Sequence, residues 1–118
     1  MNLDALTPSQ KHQVGVYLAA AETVIHGHKV KVVERWGATY ALQINENSVR
    51  VFVRASASYI PSTFAFEYRR ALSDTEVTAA VLVDVLTEPA GFYVVPKDVL
   101  GSGIGFNLEA WRGRWGLL

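Results

Sequence analysis

The sequence predicts an α/β (α+β) domain: one mixed sheet of five or six strands, with an N-terminal helix packed on it and a short C-terminal helix. Three observations carry that expectation. A capped, apolar-periodic segment opens the chain between Thr7 and Gly27. Runs that alternate along the chain follow it from Lys29 to Arg70. Ala79 to Leu86 (AAVLVDVL) is almost wholly apolar, as a strand covered on both faces would be. The 118 residues fit one domain spanning 1–118, with no internal repeat, low-complexity tract or long linker to divide it.

Thr7-Pro8-Ser9-Gln10 starts the helix. Thr7 caps, Pro8 suits the first helical position, and Gln10 completes a capping box. The helix is expected to reach about His26 and stop at Gly27. Val14, Leu18, Ala21 and Ile25 recur at helical spacing and are read as its buried stripe, widened by Tyr17 and Val24. The alanines 19–21 permit close approach to a sheet, and Val16 lies off the stripe. Lys29–Val33 reads as a first strand, with Glu34-Arg35-Trp36-Gly37 as the turn after it. Tyr40–Ile44 and Val49–Ala55 form a hairpin around the polar turn Asn45-Glu46-Asn47-Ser48. Val49, Val51 and Val53 share one face, which wants a helix over it. Arg50, Phe52 and Arg54 share the other, without a carboxylate. Ser56–Thr63 reads as a loop, and Phe64–Arg70 as a strand with Phe64, Phe66 and Tyr68 on one face. Ala71–Glu76 is a polar connection and Thr87–Gly91 a turn. Phe92–Val95 is a last strand closed by Pro96, and Lys97–Leu100 adds a helical turn. Gly101–Gly105 reads as a hinge. Asn107 caps a final helix in which Trp111 and Trp115 share a face.

Composition narrows the chemistry. Half of the residues are hydrophobic and 19% are charged, as in a globular protein. Eleven Lys and Arg balance eleven Asp and Glu, so any pull on nucleic acid must come from a local basic surface. With no cysteine, the chain has no disulfide, no thiolate nucleophile and no thiolate metal site. His12, His26 and His28 show no metal-binding spacing. Neither a signal-peptide pattern nor a membrane-length apolar run is present, and the expected location is cytoplasmic, away from membranes.

Several stretches together resemble the small nucleases of the PD-(D/E)xK, or restriction endonuclease-like, superfamily. Gly15–Glu22 followed by Gly27-His28-Lys29-Val30 resembles that family's first helix and strand. Tyr40-Ala41-Leu42 falls where the family has "YDL", and Arg50-Val51-Phe52-Val53-Arg54 where it has "x-V/I-Q/E-V-K". Ala80–Asp84 with Phe92–Pro96 resembles its "LVD…FYVIP" strands, and Trp111 and Trp115 its tryptophan-bearing tail. The resemblance implies a restriction endonuclease-like core, a mixed sheet flanked by helices. In the family an Asp and a Glu or Gln on the hairpin, often helped by a Glu on the first helix, hold magnesium, and a Lys beside them positions or activates water. The metal polarises the phosphate and lowers the pKa of the attacking water. Here those positions are Ala41, Phe52, Val16 and Arg54. Val, Ala and Phe offer no oxygen, and an arginine cannot act as a base. The expectation is a pseudo-nuclease without metal or cofactor.

What remains is a basic cluster. Arg50, Arg54, Arg69 and Arg70, around Phe52, are the candidate binding residues, with Lys31 near them. They suit phosphate-backbone contact with DNA or RNA, or a protein partner, since aromatic and Arg residues concentrate at interfaces. They equally suit solvated charge or pairing with Glu46 and Glu67. Three readings follow: a catalytically inactive binding module; a structural or regulatory homodimer joined through an exposed face centred on Phe52; and an active endonuclease in which acids such as Glu67 or Glu22 have taken over the metal. Glu67, expected on the strand after the hairpin, is the acid best placed to test the last.

Overall fold

The computed structural model describes residues 2–33, 41–71, 76–100 and 107–118. The expected turn at Glu34–Gly37, the start of the hairpin at Tyr40 and the Gly101–Gly105 hinge lie outside the described residues, as does most of the Ala71–Glu76 connection.

Helix α1 spans Pro8–Ile25 and starts as its sequence dictates. Thr7 Oγ1 accepts the Gln10 amide at 3.2 Å, and Gln10 Oε1 accepts the Thr7 amide at 2.9 Å. It ends where Gly27 takes a φ of +90°, a conformation that only glycine adopts readily. Strands β1 (Val30–Val32), β2 (Leu42–Ile44) and β3 (Asn47–Arg54) then form an antiparallel meander. The β2–β3 turn is tighter than expected. Only Asn45 and Glu46 lie between the strands, both at positive φ, and Asn47 and Ser48 already pair in the ladder.

Helix α2 (Pro61–Ala71) replaces the strand expected at Phe64–Arg70, and the loop expected through Thr63 gives way to it at Pro61. Strand β4 (Val77–Asp84) explains why. It pairs with β3 in parallel, and a parallel pair cannot be joined by a hairpin, so the chain must cross over, normally through a helix. Within that segment Phe64, Ala65 and Tyr68 are buried, a one-four helical spacing that outweighs the two-residue alternation. Phe66 is exposed accordingly. Strand β5 (Gly91–Pro96) closes the sheet antiparallel to β4. The five strands stand in the order of the chain, in one mixed sheet.

The sheet separates two cores. On one face α1 covers Leu42, Ile44, Val49, Val51, Val81 and Val83. On the other, α2 sets Phe64, Ala65 and Tyr68 over Phe52, Ala80, Leu82, Tyr93 and Val95. Strand β4 is buried along nearly its whole length because it contributes to both.

Two expectations about faces are corrected here. The side of α1 against the sheet is Gly15, Val16, Ala19, Ala20 and Thr23; of the expected Val14–Leu18–Ala21–Ile25 stripe, Leu18 packs on that core from its edge while Ala21 and Ile25 are exposed. Both patterns repeat at helical spacing, and closeness decides between them: a Cβ on Gly15 would overlap Val53 Cγ2, so the helix sits nearer the sheet than large side chains allow. Thr23 is accommodated by donating its hydroxyl to the Ala19 carbonyl at 2.6 Å. The C-terminal segment is not one helix but two 3-10 turns, Leu108–Trp111 and Trp115–Leu117. Between them Gly113 takes a φ of +64°, and the two tryptophans part company. Trp111 packs with the α2 side and Trp115 with the α1 side.

Candidate functional site

A cleft of about 1130 Å3 follows β3 between the first turns of α1 and the flank of α2. Its described lining includes Lys11, His12 and Val16 from α1, Ala41 ahead of β2, Arg50 and Phe52 from β3, Ser56 and Tyr59 from the connection, and Glu67 and Arg70 from α2. Ala41 and β3 are neighbours, since the Ala41 amide donates to the Val49 carbonyl at 3.2 Å. Three of the positions singled out by the family resemblance, Val16, Ala41 and Phe52, thus border one cavity.

Local sequence explains the placement. Pro8 opens α1 beside the cleft, which brings Lys11 and His12 into the first two turns, where the helix dipole favours negative charge nearby. Alternation on β3 sends Arg50 and Phe52 to the side away from α1. Glu67 and Arg70, three apart on α2, share its cleft-facing flank.

The electrostatics are lopsided. Lys11, His12, Arg50 and Arg70 bring basic groups, and among the described lining Glu67 is the acid. Tyr59 donates its hydroxyl to Glu67 Oε2 at 2.7 Å. Burial, and then this bond to a carboxylate, raise the Tyr59 pKa, so the phenol keeps its proton and the pair persists at neutral pH. His12 is pushed the other way. Although His12 keeps much of its surface exposed, partial burial and then the Arg50 guanidinium, which opposes a second positive charge, lower its pKa from the ordinary histidine value. At neutral pH His12 is a neutral imidazole, able to donate and to accept. Arg50 also stands over the Phe52 ring, 5.6 Å from its centroid.

The expected binding residues separate. Arg50 and Arg70 border the cleft; Arg69 is exposed at the end of α2 outside its lining. Arg54 is engaged elsewhere: Nη1 donates to Asp84 Oδ2 at 2.9 Å and Nε to the Tyr59 carbonyl at 2.6 Å. Asp84, 5% exposed, also accepts the Leu86 amide at 3.0 Å through Oδ1. Phe52 is 7% exposed, and its ring meets Phe64 edge-on at 5.3 Å. The exposed interface expected around it is therefore corrected: α2, misread as a strand, covers that face. Glu67 is corrected likewise, being on α2, where it accepts a hydrogen bond from Tyr59. Lys31 lies outside the cleft's lining. Glu22 is at the far end of α1, 3.9 Å from His26 Nδ1. His28 binds the Trp115 carbonyl at 2.8 Å and Asn45 at 2.7 Å, outside the cleft's lining.

Sequence reasoning missed His12, Lys11 and Tyr59 as site residues. The signal available for the first two was their position in the opening turns of a capped helix. Nothing marked Tyr59, which depends on α2 being a helix. Among the described residues no group of three His, Cys, Asp or Glu side chains is placed to hold a metal ion. No helix of the described residues is long and apolar enough to cross a membrane. No family model, curated protein or solved structure matches the chain.

Proposed function

We propose that this chain is a nuclease-like domain of the PD-(D/E)xK type that grips the phosphate backbone of a nucleic acid in the cleft along β3 without cutting it. The observation that carries this is the meeting of Lys11, Arg50 and Arg70, with His12 as a neutral hydrogen-bonding group, in one groove whose described acid, Glu67, accepts a hydrogen bond from Tyr59. An excess of positive charge, Lys11, Arg50 and Arg70 against Glu67, collected in a groove with low-dielectric walls, attracts a polyanion even when the whole chain is neutral.

Two features support the nuclease-like part of the reading. The sheet is mixed and carries a helix on each face. Val16, Ala41 and Phe52, at the positions where the resembled family keeps its metal ligands, border the same groove. Hydrocarbon at those positions supports binding over hydrolysis, because a hard divalent ion wants several oxygen ligands and Glu67 is a lone carboxylate in the described lining.

Fluorescence anisotropy with labelled single-stranded and duplex DNA and RNA tests the proposal. The expected result is binding that weakens steeply between roughly 50 and 200 mM salt. Removing one phosphate contact by Arg70→Ala lowers the salt slope by about 0.9 on duplex DNA and about 0.7 on a single strand. Arg69→Ala, outside the groove, leaves the slope unchanged. Absence of binding to all four probes at low salt would overturn the proposal, and so would equal losses from both substitutions.

A further inference from the structure

Helix α1 is apolar on two opposite sides. One side lies on the sheet, through Gly15, Val16, Ala19, Ala20 and Thr23. At about 100° per residue, Val14, Tyr17, Ala21, Val24 and Ile25 fall on the other, with Leu18 at its edge, where it also touches the core beneath. Tyr17, Val24 and Ile25 are 45%, 57% and 72% exposed, and the stripe contains no charged residue. A surface helix normally turns polar side chains outward, so apolar residues on both sides mark an element with two packing partners.

The stripe has a shape as well as a composition. Towards its N-terminal end Leu6, Gln10, Gln13, Val14, Tyr17 and Leu18 line a hollow of about 460 Å3. Towards its C-terminal end Val24 and Ile25 stand out as knobs. A hollow and a knob on one face, at opposite ends, complement themselves under a two-fold rotation.

We infer that the occupant of this stripe is a second copy of the chain, docked antiparallel through α1 about a two-fold axis near Leu18. Ile25 lies seven residues beyond Leu18 and Lys11 seven before it, so Val24 and Ile25 of each copy come level with the hollow of the other. Charge fits the same arrangement. At about 100° per residue Glu22 and Lys11, which also borders the cleft, fall on one flank of the helix, and antiparallel docking sets that flank against its equivalent. Glu22 lies four residues from Leu18 against seven for Lys11, which leaves the opposite charges only about 4.5 Å apart in level, at 1.5 Å per residue. Their side chains span that offset, twice by symmetry. The two helix dipoles are opposed, and a formal net charge of zero puts no long-range repulsion between copies. Self-association thus falls on the outer side of α1 and not on the buried Phe52 face.

Sedimentation velocity on the full chain, over a wide concentration range, tests the inference. The wild type is expected to show a concentration-dependent dimer. Ile25→Glu, at a position too exposed to disturb the fold, raises its dissociation constant roughly tenfold or more, from the loss of two buried apolar side chains per dimer. Lys11→Glu weakens the dimer and the double exchange Lys11→Glu/Glu22→Lys restores it, with circular dichroism confirming unchanged helix content throughout. A wild type that stays monomeric at its highest soluble concentration overturns the inference. So does a dimer that Ile25→Glu leaves intact, or one that the double exchange fails to restore.

Discussion

The two faces of the sheet are packed by opposite means. Under α1 the contact is made by small and β-branched residues: Gly15, Ala19 and Ala20 against Val49, Val51 and Val53. Under α2 it is made by rings, with Phe64 between Phe52 at 5.3 Å and Tyr68 at 5.9 Å. Small residues bring a helix close and fix its height by backbone approach. Aromatic residues hold it off, fill volume, and demand partners for their polar tips, as the Tyr68 hydroxyl finds in the Val95 carbonyl at 3.1 Å. The cleft opens where these two modes meet, along β3, with one wall from each helix.

The sharpest way to break the contrast is Phe64→Ala. It removes a fully buried ring from the α2 side and is expected to destabilise the chain by about 3–5 kcal/mol, read by urea unfolding. On the α1 side the damaging change is addition rather than deletion. Gly15→Ala drives a methyl into Val53 and is expected to destabilise by about 1–3 kcal/mol in the same assay. If Gly15→Ala were neutral, the close-approach account of α1 would be wrong. The smallest effect belongs to the seam. His12 has a folded pKa below its unfolded value, so between the two the unfolded chain binds more protons and stability rises with pH. Wild type should therefore lose stability as pH falls from about 6.5, while His12→Gln flattens that part of the profile. A profile unchanged by the substitution would remove the desolvated imidazole from the site.

The same contrast shows what could be read from the sequence. The start of α1 was legible because Thr7, Pro8 and Gln10 act locally. The hairpin and the doubly covered β4 were legible because a two-residue period or an unbroken apolar run reports burial directly. The side of α1 that meets the sheet was not, since both its stripes are apolar and only the approach at Gly15 and Val53 tells them apart. Phe64–Arg70 satisfied two periods at once, and what decides between them, the parallel pairing of β3 with β4, is a long-range fact. Missing α2 then misplaced the site. Arg50 and Arg70 were among the expected residues and do border the cleft. Phe52 and Arg54 belong to the interior and to an ion pair, and His12 and Tyr59 enter only once both helices are in place.

That ion pair reaches further than its two members. Arg54 and Asp84 stand opposite one another on the two central strands, and the same guanidinium holds the carbonyl of Tyr59. It thereby pins the loop that presents the phenol, and through the phenol the orientation of Glu67. The shape of the cleft is inherited from a clasp behind its wall, buried at Asp84 and partly buried at Arg54, so a lesion at Asp84 would be felt as a displaced Tyr59 and Glu67 some way from the substituted carboxylate.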